Sequence, residues 1–112
     1  MNLIKHWING KPWDGTPERT GTVFDPASGQ PQAEVAFASA DVVDEAVAAA
    51  KAAFASWKDS ALTTRANVMF EFRRLAVEHK EDIGRILTRE HGKTLADALG
   101  EVQRGLEVIE FA

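Results

Sequence analysis

Leu95, Leu99, Val102, Leu106 and Ile109 recur at spacings of four, three, four and three, the period of one face of an α-helix. That stripe has to be buried against neighbouring elements. The opposite face adds a second constraint. At roughly 100° per residue, Arg104 lies about 180° from the centre of the stripe, where a lone surface helix carries charge. The residues around Arg104 are instead Gly100, Val108 and Phe111, with Glu101 and Glu107 as the only charges beside it. Such a helix is predicted to be covered on both sides. Gly100 and Gly105 point the same way, because each costs a helix roughly 1 kcal/mol relative to Ala and leaves room for a ligand or another backbone to come close. The competing reading is a solvated Arg104 paired with Glu101 or Glu107, contributing a few tenths of a kcal/mol. On the residue pattern alone that plain reading is the commoner outcome. No Gly, Asn, Pro or basic turn closes the pattern after Ile109, so it reads as the edge of a longer chain.

The 112 residues suit one small domain or part of a larger one. Hydrophobic residues make up 45 % and charged residues 27 %, the balance of an ordinary globular chain. The net charge is −4 and the pI about 5.3, which argues against nucleic acid because no basic patch is available for phosphates. The densest basic pair, Arg73-Arg74, has Glu71 and Glu78 close by. Cysteine is absent, which excludes a disulfide scaffold, a Cys-based metal site and a thiol nucleophile within these residues. The start, Met1 to Trp7, lacks the apolar run of a signal peptide, and no stretch approaches the roughly twenty apolar residues of a membrane span. A cytoplasmic location is the default expectation.

Residues 1–40 read as strands and turns. Asn9-Gly10 between Trp7-Ile8 and Lys11-Pro12-Trp13 is a strong hairpin signal, and Pro12 makes that strand an edge or ends it early. Trp7 and Trp13 flank the turn and are candidates to pair across it. Thr22–Asp25 and Ala33–Phe37 read as strands around a Pro26–Gly29 turn, giving a short antiparallel meander. Residues 41–112 read as three amphipathic helices. The first is capped by Asp41 and carries the stripe Val43, Val47, Ala50, Phe54 and Trp57. The second starts at Thr63 or Thr64 and carries Val68, Phe72, Leu75, Ala76, Ile83, Ile86 and Leu87, with Gly92 as a left-handed stop. Thr94, with Asp97 three residues on, resembles a capping box for the third. The expected class is therefore an α+β fragment.

Chemistry-bearing patterns are few. Gly92-Lys93-Thr94 matches the tail of a phosphate loop, but Leu87 stands where the first Gly belongs and the lead-in is helical. No Gly-x-Gly-x-x-Gly fingerprint exists. His6, His79 and His91 are too scattered for a local metal motif, and His79 is expected as a packed or boundary residue. Glu90 stands near a helix C-terminus, where the dipole disfavours it and a nearby cation would compensate; an exposed Glu is the commoner case.

Together these residues resemble the N-terminal region of an aldehyde dehydrogenase. The shared pattern is the Ile8-Asn9-Gly10 hairpin, then Asp25-Pro26-Ala27-Ser28-Gly29, then Glu90-His91-Gly92-Lys93. Asp25 stands where the family usually has Asn. The segment Gly100-Glu101-Val102-Gln103-Arg104-Gly105, with Glu107, Glu110, Phe111 and Ala112, is similar to the CoA-acylating methylmalonate-semialdehyde dehydrogenase branch. The resemblance implies a parent of α/β fold that oxidises methylmalonate or malonate semialdehyde with NAD. The acyl group passes to a catalytic Cys and then to coenzyme A, with loss of carbon dioxide, giving propionyl-CoA or acetyl-CoA. It also implies a cytoplasmic homotetramer, and it gives Arg104 the role of binding the substrate carboxylate. A monovalent cation near Glu90 and the backbone carbonyl of Val23 or Phe24 belongs to the same implication.

The family's catalytic Cys, general base, oxyanion Asn and Gly-rich cofactor turn have no counterpart in this chain, so no catalytic or cofactor-binding residue is expected in it. Acyl transfer needs an activated nucleophile and donors aimed at the oxyanion, and the chain alone is expected not to oxidise an aldehyde. Its expected partner is the rest of the parent chain. The rival reading, from another class, is a stand-alone helical interaction or oligomerisation module that uses the face around Val108 and Phe111.

Overall fold

The computed structural model describes all 112 residues, Met1–Ala112. The chain forms two compact units, residues 1–24 with 30–59, and residues 25–29 with 60–112.

In the first unit β4 (Arg19–Phe24) and β5 (Pro31–Phe37) pair antiparallel, from Arg19 opposite Phe37 to Phe24 opposite Pro31, with an irregularity between Val23 and Phe24. β1 (Asn2–Ile4) lies on the other edge of β5 and runs parallel to it, so the order is β1-β5-β4. The expected antiparallel strands are present, and β1, which was not expected as a strand, adds a parallel pair, so the sheet is mixed. A three-residue strand carries too little period-2 pattern to be read, and its partner is thirty-one positions away, beyond any local turn signal. As the central strand, β5 buries Ala33 and Ala36.

β2 (Trp7–Ile8) and β3 (Lys11–Pro12) form the expected hairpin. Asn9 and Gly10 both have positive φ, 55° and 77°, the signature of a type I′ turn. The register corrects the cross-strand tryptophan pair. Trp7 stands opposite Pro12, while the Trp13 N–H donates to the His6 carbonyl at 2.8 Å. Neighbouring residues of a strand point to opposite faces, so Trp13 packs on the His6 ring, centroids 5.3 Å apart, and Trp7 stays exposed. The Trp13 indole N–H donates to Glu45 at 3.3 Å.

Glu45 belongs to α1 (Ala40–Trp57). Its N-cap is Ser39, whose hydroxyl accepts from the Val42 N–H at 3.3 Å, and not Asp41, which falls in the first turn. Both residue types cap well, and the extended backbone at Ser39 decides between them. The stripe Val43, Val47, Phe54 and Trp57 is present but stays between 43 and 60 % exposed, and α1 buries no residue.

The second unit holds α2 (Leu62–Glu78), α3 (Lys80–His91) and α4 (Leu95–Phe111). The chain therefore has four helices where three were expected. The long second helix breaks at His79, whose ψ of 15° turns the axis between Glu78 and Lys80. The overlooked signal is Glu81-Asp82, an acidic pair that suits the first turn of a new helix. His79 itself is exposed at the break, 3.5 Å from Asp82, and not packed on an apolar face.

α4 packs on both α2 and α3. Leu106 and Ala98 are its buried residues, and Leu95, Leu99, Val102 and Ile109 flank them half-buried. Gly84 of α3 is buried because Leu99 presses on it; a Cβ there would sit 2.8 Å from Leu99 Cδ2. The α3–α4 connection follows the expectation closely. Gly92 takes φ 88° as a left-handed stop, and the Thr94 hydroxyl accepts from the Asp97 N–H at 3.2 Å. Gly92 has a second constraint, since a Cβ would meet the Pro26 ring at 2.9 Å. Gly92→Ala should therefore destabilise the chain by about 1–3 kcal/mol, from left-handed strain and overpacking together. The check is a urea titration in which the midpoint falls and the slope stays constant.

Candidate functional site

The Pro26 that touches Gly92 lies in a turn built by Asp25. The Asp25 carboxylate accepts from the Ala27 N–H and the Ser28 hydroxyl, both at 2.9 Å. These bonds, the Ala27 one foremost, hold its carboxyl below the usual range. An Asp does here what an Asn side-chain oxygen also does in such turns.

From Gly92 the chain enters the segment singled out by its two-sided pattern. Lys93 is half-buried, and its ammonium pairs with the Glu101 carboxylate on α4. Lys80 Nζ donates to Gln103 Oε1 at 3.2 Å. At the far end of α4, Arg73 of α2 pairs with Glu110 at 2.7 Å. Three of the polar groups on α4 are thus engaged from α2, α3 or the loop between α3 and α4.

Arg104 is not among them. It is exposed, and none of the chain's ion pairs includes it or Glu107. The surface pairing of Arg104 with Glu101 or Glu107 is therefore not the arrangement adopted. Around the guanidinium-bearing face, Gly100 and Gly105 have nothing within 4 Å of where a Cβ would be, and Val108 and Phe111 are 68 and 95 % exposed. An unpaired Arg on a bare face of glycine and apolar side chains is equipped to hold a planar anion through a two-pronged hydrogen bond. Within the second unit nothing covers that face.

A cavity of about 360 Å³ opens between α2 and α4, lined by Ala66, Met69, Phe70, Arg73, Ile109 and Glu110 with the last two residues. Arg104 does not line it, and its one cation is already neutralised by Glu110. It is an apolar groove rather than a site for an anion. In the first unit the His6 Nε2 is buried without a partner, beneath Trp13.

Of the two residues given to a monovalent cation, Val23 lies in β4 of the first unit and Glu90 in the last turn of α3 in the second, where it is exposed. Nowhere do three or more His, Cys, Asp or Glu side chains gather in a cluster fit for a metal ion. No helix is long and apolar enough to cross a membrane.

The Lys93–Glu101 pair escaped the sequence reading because eight residues and a left-handed turn separate its members. Helical spacing links residues three or four apart, so only the register of α4 against the α3–α4 connection brings these two together. Arg74 was the easier case: it bridges Glu71 and Glu78 at 2.7 and 2.8 Å on its own helix.

Comparison with known proteins sets this geometry in context. The aldehyde dehydrogenase family pattern matches residues 13–112. Malonate-semialdehyde dehydrogenase of Lacticaseibacillus casei is 43 % identical over 112 residues, covering 100 % of this chain and 23 % of that protein. Malonate-semialdehyde dehydrogenase 2 of Geobacillus kaustophilus is 41 % identical with the same coverage. Among solved structures, the methylmalonate-semialdehyde dehydrogenase of Oceanimonas doudoroffii superposes with a TM-score of 0.95 at 40 % identity, over 99 % of this chain and 22 % of that one. A Sinorhizobium meliloti protein assigned to the same activity and solved with NAD gives 0.95 at 41 %, over 99 % of this chain and 23 % of that one. The chain thus spans less than a quarter of the length of these relatives.

Proposed function

Because the chain belongs to the aldehyde dehydrogenase family, we propose that it is the segment of a CoA-acylating, NAD-dependent malonate- or methylmalonate-semialdehyde dehydrogenase that brings Arg104 to the substrate carboxylate. The observation that carries the reading is the state of Arg104: exposed, unpaired, and set on a face of Gly and apolar residues. A carboxylate meeting that guanidinium forms two parallel charge-assisted hydrogen bonds, which fix its orientation as well as its place. Covering the face excludes water, and the attraction strengthens as the local dielectric falls. One end of the semialdehyde is then held while the aldehyde carbon at the other end is presented to the nucleophile, which is the positional part of catalysis.

The names and complexes of the relatives support the substrate class and NAD. CoA, the acetyl-CoA or propionyl-CoA product, a homotetrameric state and a cytoplasmic location follow from the branch that the Gly100–Gly105 segment resembles. No residue of this chain is assigned to NAD or CoA. Gly92-Lys93-Thr94 is its nearest approach to a phosphate-binding run, and there Lys93 is held by Glu101 and the Thr94 hydroxyl by the Asp97 N–H. Both groups are assigned to the remainder of the dehydrogenase chain.

The test is a graft in which these 112 residues replace the aligned stretch of the Lacticaseibacillus casei relative. The expected result is CoA-dependent NADH formation from malonate semialdehyde within roughly tenfold of the unmodified enzyme, a change of about 1.4 kcal/mol or less. A soluble, folded graft that oxidises propanal but not malonate semialdehyde overturns the proposed substrate. The 112-residue chain alone is expected to form no NADH from either aldehyde.

A further inference from the structure

An arginine already held by an internal carboxylate has little left to offer an incoming one. Glu101 is the natural internal competitor for Arg104. It stands three residues before it, on the same side of α4, and an acid N-terminal to a base is the favoured order for such pairs. Helical side chains lean toward the helix N-terminus, which carries the long Arg104 side chain toward Glu101 and away from Glu107. Yet Glu101 is paired with Lys93 and Arg104 with nothing.

We propose that Lys93 is a positioning residue for Arg104: by holding Glu101 it keeps the Arg104 guanidinium open for the substrate carboxylate. The proposal rests on the assignment of Arg104 made above. Two features equip Lys93 for this. Its side chain is only 17 % exposed, so the pair is partly shielded from water and salt. Its backbone lies between the left-handed Gly92 and the N-cap Thr94, both in fixed conformations, so the ammonium is delivered to one place. Gln103, the polar residue next to Arg104, is engaged as well, by Lys80 at 3.2 Å. The two nearest polar groups on the N-terminal side of Arg104 are thus both drawn off by lysines from outside α4.

The experiment uses the grafted dehydrogenase with four variants: Lys93→Met, Glu101→Gln, the double substitution, and Arg104→Ala. Lys93→Met should raise KM for malonate semialdehyde roughly two- to threefold with kcat essentially unchanged, since an interaction with the substrate carboxylate present in ground and transition states alike is weakened by a pair worth a few tenths of a kcal/mol. Its kcat/KM for propanal, which has no carboxylate, should stay within about twofold. Glu101→Gln alone should leave KM for malonate semialdehyde unchanged or lower it, and the double variant should recover the parental KM. That recovery separates positioning from a merely structural ion pair, because a structural pair is broken equally by either single substitution. If Arg104→Ala is selective for the carboxylated substrate while Lys93→Met is silent, or is not rescued by Glu101→Gln, the role of Lys93 is overturned and that of Arg104 stands. Equal loss of both substrates in Arg104→Ala overturns the Arg104 assignment, and the Lys93 proposal falls with it.

Discussion

Arg104→Ala in the complete dehydrogenase should lower kcat/KM for malonate semialdehyde by roughly 10²-fold or more and leave propanal within about twofold. The magnitude follows from removing one partner of a desolvated, two-pronged charge pair, which costs about 2–5 kcal/mol; about 2.7 kcal/mol corresponds to 10²-fold. The asymmetry follows from chemistry: only the semialdehyde carries the carboxylate that the guanidinium holds. Arg104→Lys keeps the charge but loses the planar fork, so it should fall between the two, at roughly tenfold. Steady-state kinetics with both aldehydes, at fixed NAD and CoA, decide it. An equal loss for both substrates would make Arg104 a structural residue of α4.

The largest effect on stability is expected at Leu106. Its side chain, 3 % exposed, is the largest among the four buried apolar residues Ala33, Ala36, Ala98 and Leu106. Leu106→Ala removes most of that contact and leaves a cavity between helices, which costs about 2–5 kcal/mol. The whole stability of a unit this size is of the same order. Far-UV circular dichroism under urea should show loss of helix at much lower denaturant, or in buffer alone. Val108→Ala, only two residues further on but 68 % exposed, should change stability by no more than about 0.5 kcal/mol. A Leu106→Ala chain as stable as its parent would mean that the α4 stripe is not what holds the second unit together.

Val43, Val47, Phe54 and Trp57 on α1 and Val68, Phe72 and Leu75 on α2 share one property with Val108 and Phe111: each is large, apolar and exposed. Periodicity placed these residues on helix faces, and each of them stays exposed. Exposed apolar patches of this extent mark surfaces where a further segment or a partner packs.

What the sequence determined by itself is local. Asn9-Gly10 specified a type I′ hairpin because few other residue pairs accept two successive positive φ values. Gly92 specified the end of α3, and Thr94 the start of α4, through a left-handed turn and a hydroxyl that reaches an N–H three residues on. The α4 stripe followed from its period. Each of these is settled within about four residues, where backbone dihedrals and side-chain reach decide the outcome. Tertiary structure decided the rest. It paired β1 parallel with β5, set Trp13 on His6 rather than Trp7, and gave Glu101 to Lys93 instead of Arg104. In the last case helical spacing and order alone favour Glu101 as the partner of Arg104. Only the register between α4 and the turn before it brings Lys93 within reach of Glu101.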